Sequence, residues 1–225
     1  VNYKWTPDFS SYISHSENFN VGTMVGSGYA NYGELLDPTK TKQNEFGFKY
    51  KNGRILHTHS FFRIKQANYN NVTIDGELYY KAYGEQTDKG IEYTAAGTLS
   101  DKMDFVGGFQ YMNARQALTG KAVNGAAKWS ATAAVIYHSS EKLSLIGRAQ
   151  YMGRAPINNE ALTVPSHFIF DAGASYDTDF GRTPVTLKAM IYNLTNRNYW
   201  LASAGRSAVL LGAPRTLVLS AAFHF

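Results

Sequence analysis

The sequence predicts an all-β fold, an antiparallel meander of about ten strands that crosses a membrane as a barrel. Three observations predict it. Apolar and polar residues alternate with a period of two in segment after segment, which in an extended strand sends them to opposite faces. The connections alternate between tight turns and long loops, the pattern of a barrel with short turns at one end and long loops at the other. The segments run to about 10–15 residues with aromatics near their ends, longer than the usual 5 or 6 of globular sheets and enough for a tilted membrane strand.

The strands are expected at residues 9–19, 42–51, 54–67, 88–99, 103–115, 126–139, 142–154, 166–178, 184–196 and 214–225, with residues 1–4 as the tail of an eleventh. In the last, Leu217, Leu219, Ala221, Phe223 and Phe225 share one face, while Thr216, Val218, Ser220, Ala222 and His224 share the other. Phe168, Phe170, Ala172, Ala174 and Tyr176 likewise oppose Ile169, Asp171, Gly173, Ser175 and Asp177. Further back, Phe46, Phe48 and Tyr50, then Met103, Phe105, Phe109 and Tyr111, continue the apolar face. The strand after Arg54 is looser, with His57, His59, Arg63 and Lys65 facing away from Leu56, Phe62 and Ile64. Lys51-Asn52-Gly53, Ser100-Asp101-Lys102, Ser139-Ser140-Glu141 and residues 179–183 carry tight-turn chemistry. Residues 20–41, 68–87, 116–125, 155–165 and 197–213 read as long loops rich in Gly, Asn and Tyr.

Composition narrows the alternatives. Charged residues make up 17% and aromatics 14% of the 225 residues, so the surface suits a medium other than plain water. No apolar run approaches the length of a membrane helix, so strands must do the crossing. Absence of cysteine excludes a disulfide framework, a thiolate metal site and a Cys nucleophile. The net charge of +5 is scattered along the chain, without the basic stripe of a nucleic-acid-binding protein. Residues 1–16 lack the charged head, apolar centre and cleavage site of a signal peptide, which leads us to expect a mature chain or part of one.

A soluble sandwich would also alternate, but Glu92, Asp104, Arg148, Asp171 and Lys188 in mid-strand suit a wet or plugged lumen better than a dry core. Aromatics such as Tyr50, Tyr111, Tyr137, Tyr151, Tyr176 and Phe223 suit interfacial girdles. His57 and His59 have a spacing that can chelate a metal, and polar lumen positions would give the same pattern; no metal site is assigned. No nucleophile elbow, helical His pair or phosphate loop points to catalysis, so no catalytic residue is assigned and no enzyme is expected.

Four stretches, LDPTKTKQNEFGFKYKNGR (residues 36–54), KGIEYTAAGTLSDKMDFVGGFQYMNAR (89–115), FIFDAGASYDTDF (168–180) and IYNLTNRNYW (191–200), together with the closing GAPRTLVLSAAFHF (212–225), resemble the carboxy-terminal barrel of TonB-dependent outer-membrane receptors, the ferric-siderophore type in particular. The resemblance spans nearly the whole chain. It implies part of a larger barrel with short periplasmic turns and long external loops, set in the lipid of a Gram-negative outer membrane. Gly212, Pro214 and Arg215 would lead into the last strand, and the terminal Phe225 would be read by the barrel-assembly machinery. A plug domain, through which alone such a receptor would engage TonB, is not recognisable here. The ligand would be a ferric siderophore, held by external aromatics and arginines; the candidates are Tyr29, Tyr32, Tyr69, Tyr79, Tyr80, Arg115, Trp200 and Arg206, with Tyr199 as part of the shared motif. A small closed ten-stranded barrel acting as a passive pore or adhesin is the alternative, and a soluble β-sandwich binding module the third reading.

Overall fold

Alternating sequence becomes alternating faces in a sheet of eleven strands. The computed structural model describes residues 1–203 and 208–224, and these contain strands but no helix. The strands are β1 (Asn2–Thr6), β2 (Phe9–Asn20), β3 (Thr39–Asn52), β4 (Ile55–Ile74), β5 (Glu77–Ser100), β6 (Met103–Gln116), β7 (Trp129–His138), β8 (Leu143–Met152), β9 (Ala155–Ile157), β10 (Leu162–Val164), β11 (His167–Phe180), β12 (Thr183–Tyr192), β13 (Trp200–Ala202), β14 (Val209–Leu211) and β15 (Thr216–Phe223). The large sheet runs β1-β2-β3-β4-β5-β6-β7-β8-β11-β12-β15, each strand antiparallel to its neighbours. The expected tail of an eleventh strand is thus a paired strand, and the sheet has eleven members rather than ten. Because eleven is odd, β1 and β15 run in the same direction, so these strands cannot close on each other in all-antiparallel fashion.

One face is apolar across its width. Register aligns Ile13, Phe46, Phe61, Ile91, Tyr111 and Trp129 in a single cross-strand row. Near the last edge, Leu217 is 61% and Leu219 70% exposed, an apolar surface that water would penalise and hydrocarbon would not. The other face is polar and better covered, with Ser60, Asp88 and Asp171 all buried.

His57 and His59 correct the expectation of lumen-like histidines. Their register partners are Tyr50 and Phe48 on one side and Ala95 and Tyr93 on the other, so they sit on the apolar face. His59 stacks on Phe48 at 4.6 Å, and His57 Nδ1 lies 2.8 Å from the Tyr93 hydroxyl. Placed two and four residues after Ile55, where the strand starts beside a tight turn, they join an aromatic girdle.

The expected loop at residues 68–87 is instead the top of the β4–β5 hairpin. Asp75 and Gly76 form its two-residue turn, with φ of 51° and 86°, and Ile74 pairs with Glu77 across it. This is hairpin chemistry that a glycine makes accessible. The polar Asn70 and Asn71 obscured a run whose Val72, Ile74, Leu78, Tyr79 and Tyr80 favour strand. The expected loops at 155–165 and 197–213 contain the short hairpins β9–β10 and β13–β14. The strand expected at 126–139 starts only at Trp129, and the one at 184–196 stops at Tyr192 because Asn193 turns the chain with φ of 51°.

Candidate functional site

The candidate ligand residues gather at the end of the sheet where the long connections lie, in three groups. In the first, the segment between β2 and β3 folds over the β4–β5 hairpin. Val25 and Leu36 are buried and anchor it. Above Gln86, β5 has no β6 partner, and the Asn31 side chain takes that place. Its Oδ1 accepts from the Tyr80 amide at 3.1 Å and its Nδ2 donates to the Tyr80 carbonyl at 2.8 Å, satisfying a strand edge as another backbone would. The Ala30 amide also donates to the Leu78 carbonyl at 2.8 Å.

This docking brings Tyr29, Tyr69 and Tyr80 together, with ring centroids 5.4 Å and 5.9 Å apart around Tyr80. The Tyr29 hydroxyl donates to Asn71 Oδ1 at 3.0 Å and the Tyr69 hydroxyl to the Asp37 carbonyl, so both serve the fold as well as any ligand. Tyr79 faces the other way, with Lys81 Nζ 5.6 Å from its ring centroid. Tyr32 is 70% exposed at the crest of the turn. Below, Asp88 is buried with Gln86 donating to both its oxygens; burial pushes its carboxyl above the usual range.

The second group is a cationic cleft of about 530 Å³ lined by Arg115, Lys128, Arg154, Glu160, Pro156 and Pro165 among others. Its wall is the β9–β10 hairpin, whose Ala155, Ile157 and Val164 form a buried cluster against Ala127 and Ala202. Asn158, Asn159 and Glu160 all have positive φ, a costly run for side-chain-bearing residues. It places the Glu160 carboxylate to accept from the Ala122 amide at 2.8 Å and from Arg115 Nη1 at 3.3 Å. Three cations against one carboxylate leave the cleft with an excess of two positive charges. Sequence reading identified Arg115 and missed Lys128 and Arg154; each stands beside the end of a strand adjoining the next, a signal that strand assignment alone could have supplied.

The third group lies over the polar face. Trp200 pairs with Leu211 in the β13–β14 hairpin and is half exposed. Tyr199 packs on His167 at 4.6 Å, and Gly212 passes directly beneath the Tyr199 ring, where a Cβ would collide with it. Tyr199 and His167, with Gln110, Thr132, Arg148 and Gln150, line a cleft of about 610 Å³. At its floor Arg148 Nε donates to Asp171 Oδ2 at 2.6 Å and the Asn193 amide to Asp171 Oδ1 at 2.8 Å. Arg206 and Phe225 lie outside the described residues. The candidates among the described residues therefore do not form one site: the tyrosines, the Arg115 cleft and Trp200 are separate.

Comparison with known proteins agrees with this architecture. The family model described as "TonB dependent receptor-like, beta-barrel" matches residues 1–194. An uncharacterised TonB-dependent receptor of Haemophilus influenzae is 25% identical over 99% of this chain and 70% of its own. The ferrichrome outer membrane transporter/phage receptor of Escherichia coli K12 is 26% identical over 100% of this chain, which spans 31% of that relative. Among solved structures, BauA, the ferric preacinetobactin receptor from Acinetobacter baumannii, superposes with a TM-score of 0.82 at 31% identity, covering 99% of this chain and 35% of BauA. The chain thus spans about a third of the length of the ferrichrome receptor and of BauA.

Proposed function

This chain belongs to the TonB-dependent receptor β-barrel family, and from that premise we propose that it forms the carboxy-terminal part of the wall of an outer-membrane receptor for ferric siderophores. The observation that carries the reading is the division of one sheet into two chemistries. Its apolar face, from Phe46 and Phe61 to Leu217 and Leu219, suits hydrocarbon. Its polar face, with Arg148 paired to Asp171, suits a lumen filled by water or a plug. Tight turns such as Gly53-Arg54, between β3 and β4, then lie at the periplasmic rim, and the three candidate groups lie outside the cell.

In this reading the external groups present what a bulky anionic chelate requires. The cleft of Arg115, Lys128 and Arg154 offers charge-assisted hydrogen bonds, and Tyr29, Tyr69 and Tyr80 offer ring faces. Iron arrives as cargo within the chelate. Energised release would come through TonB acting on a plug, so this segment supplies binding surface and wall, and no chemical step. The family is one of receptors and transporters. The odd strand count counts against the small closed barrel, since β1 and β15 are parallel.

Uptake of radioiron, supplied as hydroxamate, catecholate or mixed chelates, tests the proposal in cells that lack their own siderophore receptors and express the complete reading frame holding this sequence. TonB-dependent accumulation from at least one chelate is expected. Accumulation from none, or equal accumulation after deletion of TonB, would overturn it.

A further inference from the structure

A serine, a histidine and an aspartate from three strands line up on the polar face near the tight turns. His138 and Ser144 are the last register pair of β7 and β8 before their turn, and His138 Nδ1 lies 3.0 Å from Ser144 Oγ. On the other side of the ring, His138 Nε2 lies 2.9 Å from Asp104 Oδ2, and Thr98 Oγ1 donates to Asp104 Oδ1 at 3.0 Å. Asp104 accepts the Nε2 proton, which leaves Nδ1 to accept from the serine hydroxyl. Nucleophile, base and a carboxylate orienting the base thus follow one another through hydrogen bonds, an arrangement recognised by geometry rather than by position in the chain. No motif announces it, because residues 104, 138 and 144 come from β6, β7 and β8.

The surroundings fit an acyl group. Register continues the row from Ser144 to Ser175 and then to Lys188, on adjoining strands and the same face. Opposed Cβ atoms in such a row stand about 4.5–5.5 Å apart, so a hydroxyl and an ammonium lie on the side of Ser144 away from His138, where a developing oxyanion needs donors. Neither Ser175 nor Lys188 has a side-chain hydrogen bond or ion pair among the described residues, and Lys188 is exposed. One row toward mid-strand, register aligns Asp104, Ile136 and Ile146. Asp104, Val106, Ala134 and Ile136 line a hollow of about 300 Å³, mostly apolar and suited to a short acyl chain. The side chains of His138 and Asp104 are 42% and 46% exposed, so a small molecule in the lumen reaches them.

We propose that Ser144 is a nucleophile that takes the acyl group of a short-chain carboxylic ester and passes it to water. Ser144 Oγ attacks the carbonyl carbon while His138 Nδ1 takes the hydroxyl proton, and Ser175 and Lys188 face the oxyanion. The bond from that carbon to the ester oxygen breaks, and the alcohol leaves with the proton from His138. Water, deprotonated by His138, then attacks the acyl-serine, releasing the carboxylic acid and restoring Ser144. Asp104 touches no substrate and is a positioning residue for His138. The step is separate from passage of a chelate, in which the wall has no chemical part, and it takes only the lumen from the preceding reading.

Diisopropyl fluorophosphate, which forms a stable Oγ–P bond as fluoride leaves, tests the nucleophile in the detergent-purified complete protein. Peptide mass spectrometry should place the added group on Ser144 and not on Ser60 or Ser130, which share the polar face in another row. Labelling should rise with pH as His138 loses its proton and then level off. A positioned base is worth about 10²–10⁴-fold, so H138Q should slow labelling at least a hundredfold and remove that profile. D104N should move the profile to lower pH and D104E should restore it, whereas a merely structural carboxylate would leave it in place. p-Nitrophenyl acetate should be hydrolysed at least tenfold more slowly by S144A, and by S175A with K188Q, than by the unaltered protein. Labelling of no serine, equal labelling of Ser60 and Ser144, an unaltered rate in H138Q, or hydrolysis unchanged in S144A would each overturn the proposal. Faster electrophoretic mobility before heating checks the fold of each variant, and the pH profile of the unaltered protein decides without one.

Discussion

Asp171 holds Asn193 from across the β11–β12 pair: its Oδ1 accepts the Asn193 backbone amide at 2.8 Å while its Oδ2 accepts Arg148 Nε at 2.6 Å. Asn193 in turn donates through Nδ2 to the Arg197 and Ala213 carbonyls, and its Oδ1 accepts the Arg197 amide. The Arg215 amide reaches Asn196 Oδ1 at 3.0 Å. One carboxylate thus fixes the chain as it leaves β12 and as it returns to β15, so the shared stretches around Asn193 and Arg215 meet in space. The Asp171 side chain has no exposed surface, whereas that of Arg148 is 38% exposed.

Replacing Asp171 with Ala should therefore cost roughly 2–4 kcal/mol, at the lower end because Arg148 can regain water. Asp177→Asn, on the same strand but exposed, should cost less than about 0.5 kcal/mol. Urea unfolding in detergent followed by tryptophan fluorescence measures both. Equal midpoints would show that the return to β15 is held by other contacts.

The Asp75-Gly76 turn makes a local prediction. Gly76 has a φ of 86°, where an L-residue is strained, so Gly76→Val should cost about 1–2 kcal/mol, confined to the hairpin top. Amide exchange should accelerate across residues 69–83 and stay unchanged at Phe61 and Ile91, which are held by both neighbouring strands. Uniform acceleration would mean that the hairpin and the sheet open as one unit.

What the sequence made legible, and what it hid, follows from the same physics. Alternation at Phe168 to Tyr176 or Leu217 to Phe223 was readable because one face of the sheet is apolar throughout, so every second residue is chosen alike. Beyond that apolar face the rule lapses. Asn70 and Asn71 lie in β4 where both faces are wet, and the Asp75-Gly76 turn that should have announced a hairpin was read as part of a loop. His57 and His59 look polar in a sequence, yet ring stacking on Phe48 and Tyr93 puts them in a girdle. Which external residues meet depended on Asn31 reaching Tyr80, a separation of 49 residues that no periodicity encodes. The joining of Arg115 with Lys128 and Arg154 depended likewise on the β9–β10 hairpin.

Glu17 sets a pH window. Hydrogen bonding from Lys40 Nζ at 2.6 Å, and then from Lys42, holds its carboxyl down to about 2 from an ordinary 4.5. A depressed carboxyl stabilises the fold above its ordinary value and loses that contribution as pH falls through the folded one. The join between the tops of β2 and β3 should stay intact at pH 4.5 and loosen only near pH 2. Carboxyl-carbon NMR should place the Glu17 midpoint near 2 and move it toward 4.5 in Lys40→Gln. A midpoint unchanged by that substitution would assign the depression to another cause.

The cationic cleft gives the most direct functional prediction. Arg115 is unsuitable as a probe, because it also holds Glu160 and, through it, the strained turn of β9–β10. Lys128 and Arg154 line the cleft without an ion pair among the described residues, so their removal should leave the hairpin standing. A charge-assisted hydrogen bond is worth about 1.5–3 kcal/mol, so Lys128→Gln with Arg154→Gln should weaken an anionic ferric chelate at least tenfold. A neutral ferric chelate, bound through ring faces and shape, should change by less than threefold. Titration calorimetry with both chelates at two salt concentrations separates the cases: if the anionic chelate loses nothing, or both lose alike, the excess charge of the cleft has no part in ligand capture.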